Sequence, residues 1–331
     1  MASIMTNASA LTALQSLNMT NKNLETTQSR ISTGYKVATA SDSAAYWSIA
    51  TTMRQDKSSL TVVQDTLGLG AGKVDTAYSS MTKAIETIGE IKDKLVAATG
   101  ASSTDKAKLQ SEITALQSQL KMGADGATFS GANWLSLDTT TGTTTAGVAD
   151  DAKIVSAYTR TAAGKPSLAT IDVKVDTLKL YEAFATATNV QKGILDGLRL
   201  ASSGARNNTA VATVGGAAAA ATDGYSVATM TVVGFNDRQI GDMLTVIDQA
   251  TKEMTDAATT LGTTKKRIDI QKDATQSLMD SIDRGVGQLV DADMNKESSR
   301  LQALQVQQQL GIQSLSIANG NAQTILSLFR G

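Results

Sequence analysis

The sequence predicts a mainly α protein: a long antiparallel helical rod or coiled coil formed by the N- and C-terminal segments, with a small β-containing insert at its tip. Three observations carry this. Both ends of the 331-residue chain, Met1–Asn21 and Leu301–Phe329, are uncharged, yet both repeat apolar residues at alternating steps of three and four. That is the 3.5-residue spacing of helices that lie against other helices. The stretches next to the ends repeat the same pattern, whereas residues 128 to about 235 lose it and turn rich in Thr, Gly and Ala. Finally, proline occurs once, at Pro166, and aromatics make up only 4%, which suits uninterrupted helices that pack through small residues.

The first seam reads Ala10, Leu14, Leu17, Asn21, Leu24, Gln28, Ile31. A second helical block is expected over Asp42–Thr99, with a seam Ile49, Met53, Asp56, Leu60, Val63, Leu67, Gly70, then a one-residue stutter before Val74, Tyr78, Met81, Ile85, Ile88, Lys92, Leu95. Thr104 is placed to cap a shorter antiparallel helix carrying Leu109, Ile113, Leu116 and Leu120, which Gly123 and Gly126 end. In the middle, alternation predicts strands over Ala169–Val175 and Tyr225–Val233, with a helix near Leu178–Leu200. Heptads then return unbroken from Ile240 through Met243, Ile247, Ala250 and onward to Leu289. Charged Val290–Arg300 reads as a connector to the terminal helix, whose seam is Gly311, Leu315, Ala318, Ala322, Ile325, Phe329. The order is nested, so the two ends must meet and the insert must lie far from them.

Composition excludes much chemistry. The chain has no His and no Cys. No Ser-His-Asp or Cys-His arrangement, no usual zinc site and no disulfide can be built. A net charge of −1 gives no broad basic surface for nucleic acid. No run approaches the 18 apolar residues of a transmembrane helix, and no basic-then-apolar leader opens the chain. Neither an enzyme nor a cofactor is expected.

Motifs at both ends then narrow the reading. Ile31-Ser32-Thr33-Gly34-Tyr35-Lys36-Val37 is followed by Ala40, Asp42, Ala44-Ala45 and Ile49. Near the other end stand Leu289-Val290-Asp291-Ala292-Asp293 with Glu297, Gln308-Gln309-Leu310-Gly311, Ala318-Asn319 and Ile325-Leu326-Ser327-Leu328-Phe329. Thr259-Thr260-Leu261-Gly262 with Arg267, and Phe129-Ser130-Gly131 with Leu135, add to them. In order and spacing these resemble bacterial flagellin, the subunit of the flagellar filament, over about residues 1–137 and 240–331. The chain departs from that pattern at Ala38, Ser43 and Tyr46, where the family has Asn, Asp and Gly. The Tyr46-Trp47 pair and the short insert are similar to flagellins of alphaproteobacteria.

The resemblance implies a secreted structural protein of the extracellular flagellum. It implies inner filament-core helices at 1–40 and 292–331 and a helical rod domain at 41–139 and 236–291; residues 140–235 lie outside the resemblance and read from their own pattern as a small outer insert domain of mixed α/β structure. Its partners would be further copies of itself and other flagellins, the type III export apparatus and chaperone, and hook-associated and cap proteins, with no nucleic acid and no membrane. Subunit assembly would fall to Leu14, Leu17, Leu24, Ile31, Leu304, Leu315, Ile325 and Phe329. Register and connector roles would fall to Asn21, Gln28, Asp42, Asp291, Asp293, Arg300 and Gln308. Of the two tryptophans, Trp47 and Trp134, core filling is the default reading. Many flagellins carry a stretch contacted by an animal Toll-like receptor, and here it reads Gly89-Glu90-Ile91-Lys92-Asp93-Lys94-Leu95-Val96. Glu90 stands where the family has a key arginine and Lys94 where it has leucine; as a plain solvated helix face, Glu90 would pair with Lys94. The competing readings are a hook-filament junction protein and a secreted amphipathic coiled coil acting at membranes. A metalloprotease insert would need H-E-x-x-H, which a chain without histidine cannot supply.

Overall fold

The structure, a computed structural model, describes residues 7–139, 147–161, 165–218 and 220–328, with side chains described as far as residue 320. It is mostly helical, with long helices from both ends of the chain and a small strand-containing middle. Helix α1 spans Ala8–Thr33, α2 Ala44–Ala98 and α3 Ser103–Asp125. The short strands are β1 Thr128–Phe129, β2 Ala132–Asn133, β3 Ser136–Leu137, β4 Ala152–Arg160, β5 Pro166–Val173, β6 Tyr181–Glu182, β7 Arg199–Leu200, β8 Val211–Ala212 and β9 Asp223–Tyr225. Helix α4 covers Asp237–Val290 and α5 Met294–Leu328. Contacts group the chain into two compact units, Met1–Ser58 with Ser277–Gly331, and Ser59–Gln276.

In the second unit α2 buries Leu60, Val63, Leu67, Gly70, Val74, Ala77, Met81, Ala84, Ile88, Ile91, Leu95 and Ala98. These steps alternate three and four without a break, so the expected stutter after Gly70 is absent. Alanines at 77 and 84 take the seam, while the larger Tyr78 turns outward. Small side chains let the helices approach, which side-chain size alone does not signal. Gly70 serves the same end: a Cβ there would lie 2.5 Å from Ile154 Cγ2 of β4. The α4 seam runs as expected from Ile240 to Thr275 and then shifts by one, with Met279 6% and Leu278 47% exposed. The stutter therefore lies on α4.

Ser102, not Thr104, caps α3. Its Oγ accepts from Asp105 N at 3.2 Å, a side-chain N-cap, and donates to the Asp105 carboxylate at 2.8 Å. Helix α3 continues through Gly123 to Asp125, with Gly126 beyond it.

The middle departs most from expectation. Strand β5 overlaps the predicted Ala169–Val175, beginning earlier at Pro166 and ending at Val173, and pairs antiparallel with β4. Tyr225–Val233 is a strand only at its first residue, in β9. Thereafter α3 side chains satisfy its backbone: Gln117 Nε2 donates to Val227 O at 2.9 Å and Met230 O at 3.0 Å, and Gln110 Oε1 accepts from Val232 N at 2.7 Å. Leu178–Leu200 is not a helix. Leu180 N bonds Leu135 O at 2.7 Å and Leu195 N bonds Leu180 O at 2.9 Å, so its amides are committed to partners far beyond helical spacing. Gly193 sits so close to Leu180 O that a Cβ would lie 2.2 Å away. Leu178, Leu180, Ile194 and Leu195 are buried in the same core as Leu67, Ile88 and Met254. The middle segment and the helices of the second unit thus share one core.

Within that core Arg199 is fully buried. It donates to Ile194 O and Gly204 O and forms a forked pair with Glu253 of α4, both N–O distances 2.8 Å. Trp134 fills this core, whereas Trp47, in the first unit, is 38% exposed.

Candidate assembly surface

In the first unit α1 and α5 lie antiparallel. Asn7 Nδ2 bonds Ala318 O at 2.9 Å, Asn21 meets Gln308 at 2.8 Å and Arg30 meets Glu297 at 3.4 Å. Arg30 is in the last turn of α1 and Glu297 in the first turn of α5, so each charge also complements its own helix dipole. The inward face of α1 is Ala10, Ala13, Leu17, Thr20, Leu24, Thr27 and Ile31. That of α5 is Glu297, Leu301, Leu304, Gln308, Gly311, Leu315 and Ala318.

This placement corrects the seam on α1. Leu17, Leu24 and Ile31 face inward as expected, but Thr20 and Thr27 replace Asn21 and Gln28, and Ala13 replaces Leu14. A buried threonine satisfies its hydroxyl locally, as Thr20 Oγ1 does on Ser16 O at 3.0 Å, whereas an amide must reach further. Asn21 and Gln28 therefore stay exposed at the edge. The α5 seam keeps its predicted phase through Ala318; the side chain of Ile325 and the whole of Phe329 lie outside the described residues.

A second consequence follows. The heptad stripes of the two ends cover each other within one chain, instead of waiting for another copy. Large apolar side chains outside the seam stay uncovered, among them Leu11, Leu14 and Met19 on α1, and Val306, Leu310, Ile312 and Ile317 on α5.

The segments between helices are short and tightly bonded. Gly34 ends α1 in the left-handed region with φ 75°, where a Cβ would be strained. Beyond it Tyr35 bridges Asp291, Lys36 N donates to Val290 O at 2.7 Å, and Ala292 N to Gly34 O at 2.8 Å. The Arg54 guanidinium lies 5.1 Å from the Tyr35 ring centre. Asp42 Oδ2 accepts from Thr39 N at 2.9 Å and Ala38 N at 3.0 Å. These backbone amides, Thr39 first, hold its carboxyl below the ordinary aspartate value. The C-terminal connector is only Asp291–Asp293, not the whole of Val290–Arg300. Asp293 Oδ1 accepts from Asn295 N at 3.0 Å and begins α5, and Arg300 is an exposed helical residue. Charge in a first helical turn marks a capped start, which the sequence alone leaves looking like a linker.

In the second unit, Ile91 and Leu95 are buried on α2 and Glu90 and Asp93 face solvent. Lys94 pairs with Glu112 of α3 at 2.6 Å and Lys92 with Asp248 of α4 at 2.6 Å. The expected Glu90–Lys94 pair gives way to this bond between helices. Glu112 raises the Lys94 ammonium above its ordinary value, with Glu90 adding a smaller effect.

Among the described residues no helix is long and apolar enough to cross a membrane, and no group of three or more acidic residues is placed to hold a metal.

Residues 4–140 match the bacterial flagellin N-terminal helical region and residues 244–329 the bacterial flagellin C-terminal helical region. Along its whole length the chain is 46% identical to all of Flagellin C of Rhizobium meliloti (strain 1021). It is 44% identical to all of the flagellin of Brucella melitensis biotype 1, and 42% identical to all of Flagellin A of Rhizobium meliloti. On these matches the chain belongs to the bacterial flagellin family.

Proposed function

We propose that the chain is the structural subunit of the flagellar filament and polymerises through the outward faces of α1 and α5. The observation that carries this is the set of large apolar side chains, Leu11, Leu14, Met19, Val306, Leu310, Ile312 and Ile317, left exposed around a helix pair whose inner seam is already closed. Large apolar side chains left exposed on both helices of one pair are available for cover by further copies, and burying each such side chain contributes about 1.5–3 kcal/mol. Residues 1–40 and 292–331 then act as the filament core, 41–139 and 236–291 as the surrounding helical layer, and 140–235 as the outer segment. Leu17, Leu24, Ile31, Leu304 and Leu315 serve assembly indirectly, by holding α1 on α5. Export unfolded through the flagellar type III route, with its chaperone, and growth at the tip beneath the cap complete the reading. Full-length likeness to flagellins favours a filament subunit over a hook-filament junction protein.

The test is Leu310→Glu beside Leu304→Glu. The outward change should leave the monomer's helix content intact and abolish seeded polymerisation, read by sedimentation and circular dichroism. The inward change should lower helix content as well. Filaments formed at the parent's rate by Leu310→Glu would refute the assignment.

A further inference from the structure

Four pairs in the second unit mark where α2 meets α4. Gln64 Nε2 donates to Gln276 Oε1 at 3.1 Å, and Asp75 pairs with Lys265 at 2.6 Å. Tyr78 Cε2 lies 3.7 Å from where a Cβ of Gly262 would be, and Lys92 pairs with Asp248 at 2.6 Å. The two residue numbers have the same sum in every pair, so these are rungs of one antiparallel register.

The α2–α4 seam taken by itself does not encode that register strongly. It alternates three and four along α2 from Leu60 to Ala98 and along α4 from Ile240 to Thr275, and many of its members are Ala, Thr or Met. Moving one helix along the other by whole seam steps sets apolar on apolar again. The charged rungs are less forgiving. Helix α2 carries a negative charge at Asp75 and a positive one at Lys92, while α4 carries Lys265 and Asp248 in the opposing positions. Each spacing is 17 residues, close to five seam steps and about 25 Å along a helix. A slip of that length in one direction sets Asp75 against Asp248; in the other it sets Lys92 against Lys265.

We propose that this reversal of sign between rungs is a register lock: it selects the native α2–α4 alignment by making the five-step alternatives repulsive. An exposed ion pair contributes little by itself. Choosing between alignments depends on a difference, and here attraction in one alignment becomes repulsion in the other. The device belongs to the single chain and is independent of how copies assemble.

The experiment uses the full-length monomer refolded from denaturant. The chain has no cysteine, so Glu86→Cys and Thr255→Cys, both at exposed positions, accept spin labels that report the α2–α4 alignment by electron–electron distance. The parent should give one distance. The swap Asp75→Lys with Lys265→Asp retains an ion pair at that rung but removes the alternation. It should give a second population with the labels displaced by about 25 Å along the helices. Adding Lys92→Asp with Asp248→Lys restores the alternation in reversed sense and should return a single distance. A first swap that fails to fold, rescued by the second, supports the lock equally. A first swap with the parent's single distance overturns it. So does a second population that persists when both rungs are swapped, or failure of both variants to fold.

Discussion

Asn21 of α1 and Gln308 of α5 meet side chain to side chain at 2.8 Å across the terminal helix pair. Asn21 sits at the edge of the seam and Gln308 within it, and they bond through their amides, while Thr20 and Leu304 nearby are buried. A polar pair at an apolar seam favours the alignment that brings it together, at some cost in stability. Replacing both by leucine, Asn21→Leu with Gln308→Leu, should therefore leave the monomer at least as stable to urea. The fraction of chains competent to extend seeds should fall, because misaligned pairs present the outward face out of step. Urea titration and seeded light scattering measure the two quantities. Unchanged seeding would show that the bond is a surface contact without influence on alignment.

Arg199 makes the contrasting case of a buried charge. Its guanidinium is fully enclosed and forked onto Glu253, and Arg206 lies 3.3 Å from the same carboxylate. Arg199→Ala would strip Glu253 of its main partner and leave Ile194 O and Gly204 O unbonded. Breaking a buried pair in this way costs about 3–5 kcal/mol. The loss should appear in denaturant unfolding followed by Trp134, whose ring lies in the same core. A loss below about 1 kcal/mol would place the interaction among ordinary surface pairs.

The helical parts were legible because period, length and the absence of charge all agree there. Within them, size misled: Ala13, Thr20, Ala77 and Ala84 take seam positions that Leu14, Asn21, Tyr78 and Ile85 seemed to own. The exposed set of Leu11, Met19, Val306, Leu310 and Ile317 was hidden, since an uncharged helix shows apolar residues on every side. In the middle, order comes from long-range bonds such as Gln117 to Val227 O and Leu180 N to Leu135 O. Local pattern carries no trace of these. Arg199 gave no signal either, because an arginine between Leu198 and Leu200 reads as the solvent-facing residue of its segment.

Acid should affect the first unit through Asp42. Its carboxyl titrates below the ordinary value of 3.8 because backbone amides of Thr39 and Ala38 bond the charged form. A depressed folded value stabilises at and above the unfolded value, and the contribution disappears as pH falls through the folded one. Asp42→Asn should therefore weaken the first unit at pH 7, and the difference from the parent should shrink as pH drops below 3.8. Trp47 fluorescence in a Trp134→Phe background isolates that unit. A gap between variant and parent that is constant with pH would remove the carboxylate from the explanation.

The last prediction concerns Glu90, Lys92, Asp93 and Lys94. The resemblance at Gly89–Val96 leads one to expect an arginine facing a Toll-like receptor where Glu90 stands, and a guanidinium makes forked bonds that a carboxylate cannot donate. Here Glu90 and Asp93 make the outward face acidic, while Lys92 and Lys94 are held by Asp248 and Glu112. The lysines are thus turned to neighbouring helices and offset the acidic face only in part, Glu90 and Asp93 acting on Lys94 more weakly than Glu112 does. The monomer should activate the receptor poorly, and Glu90→Arg should raise the response in a reporter assay. Lys94→Leu adds an apolar contact but breaks the Glu112 pair, so it should help only together with Glu90→Arg. The fold is expected to tolerate the double change, because an ion pair this exposed contributes about 0–1 kcal/mol. Full activation by the unmodified monomer would refute the reading. Activation by Lys94→Leu alone would shift its cause from the acidic face to the missing apolar contact.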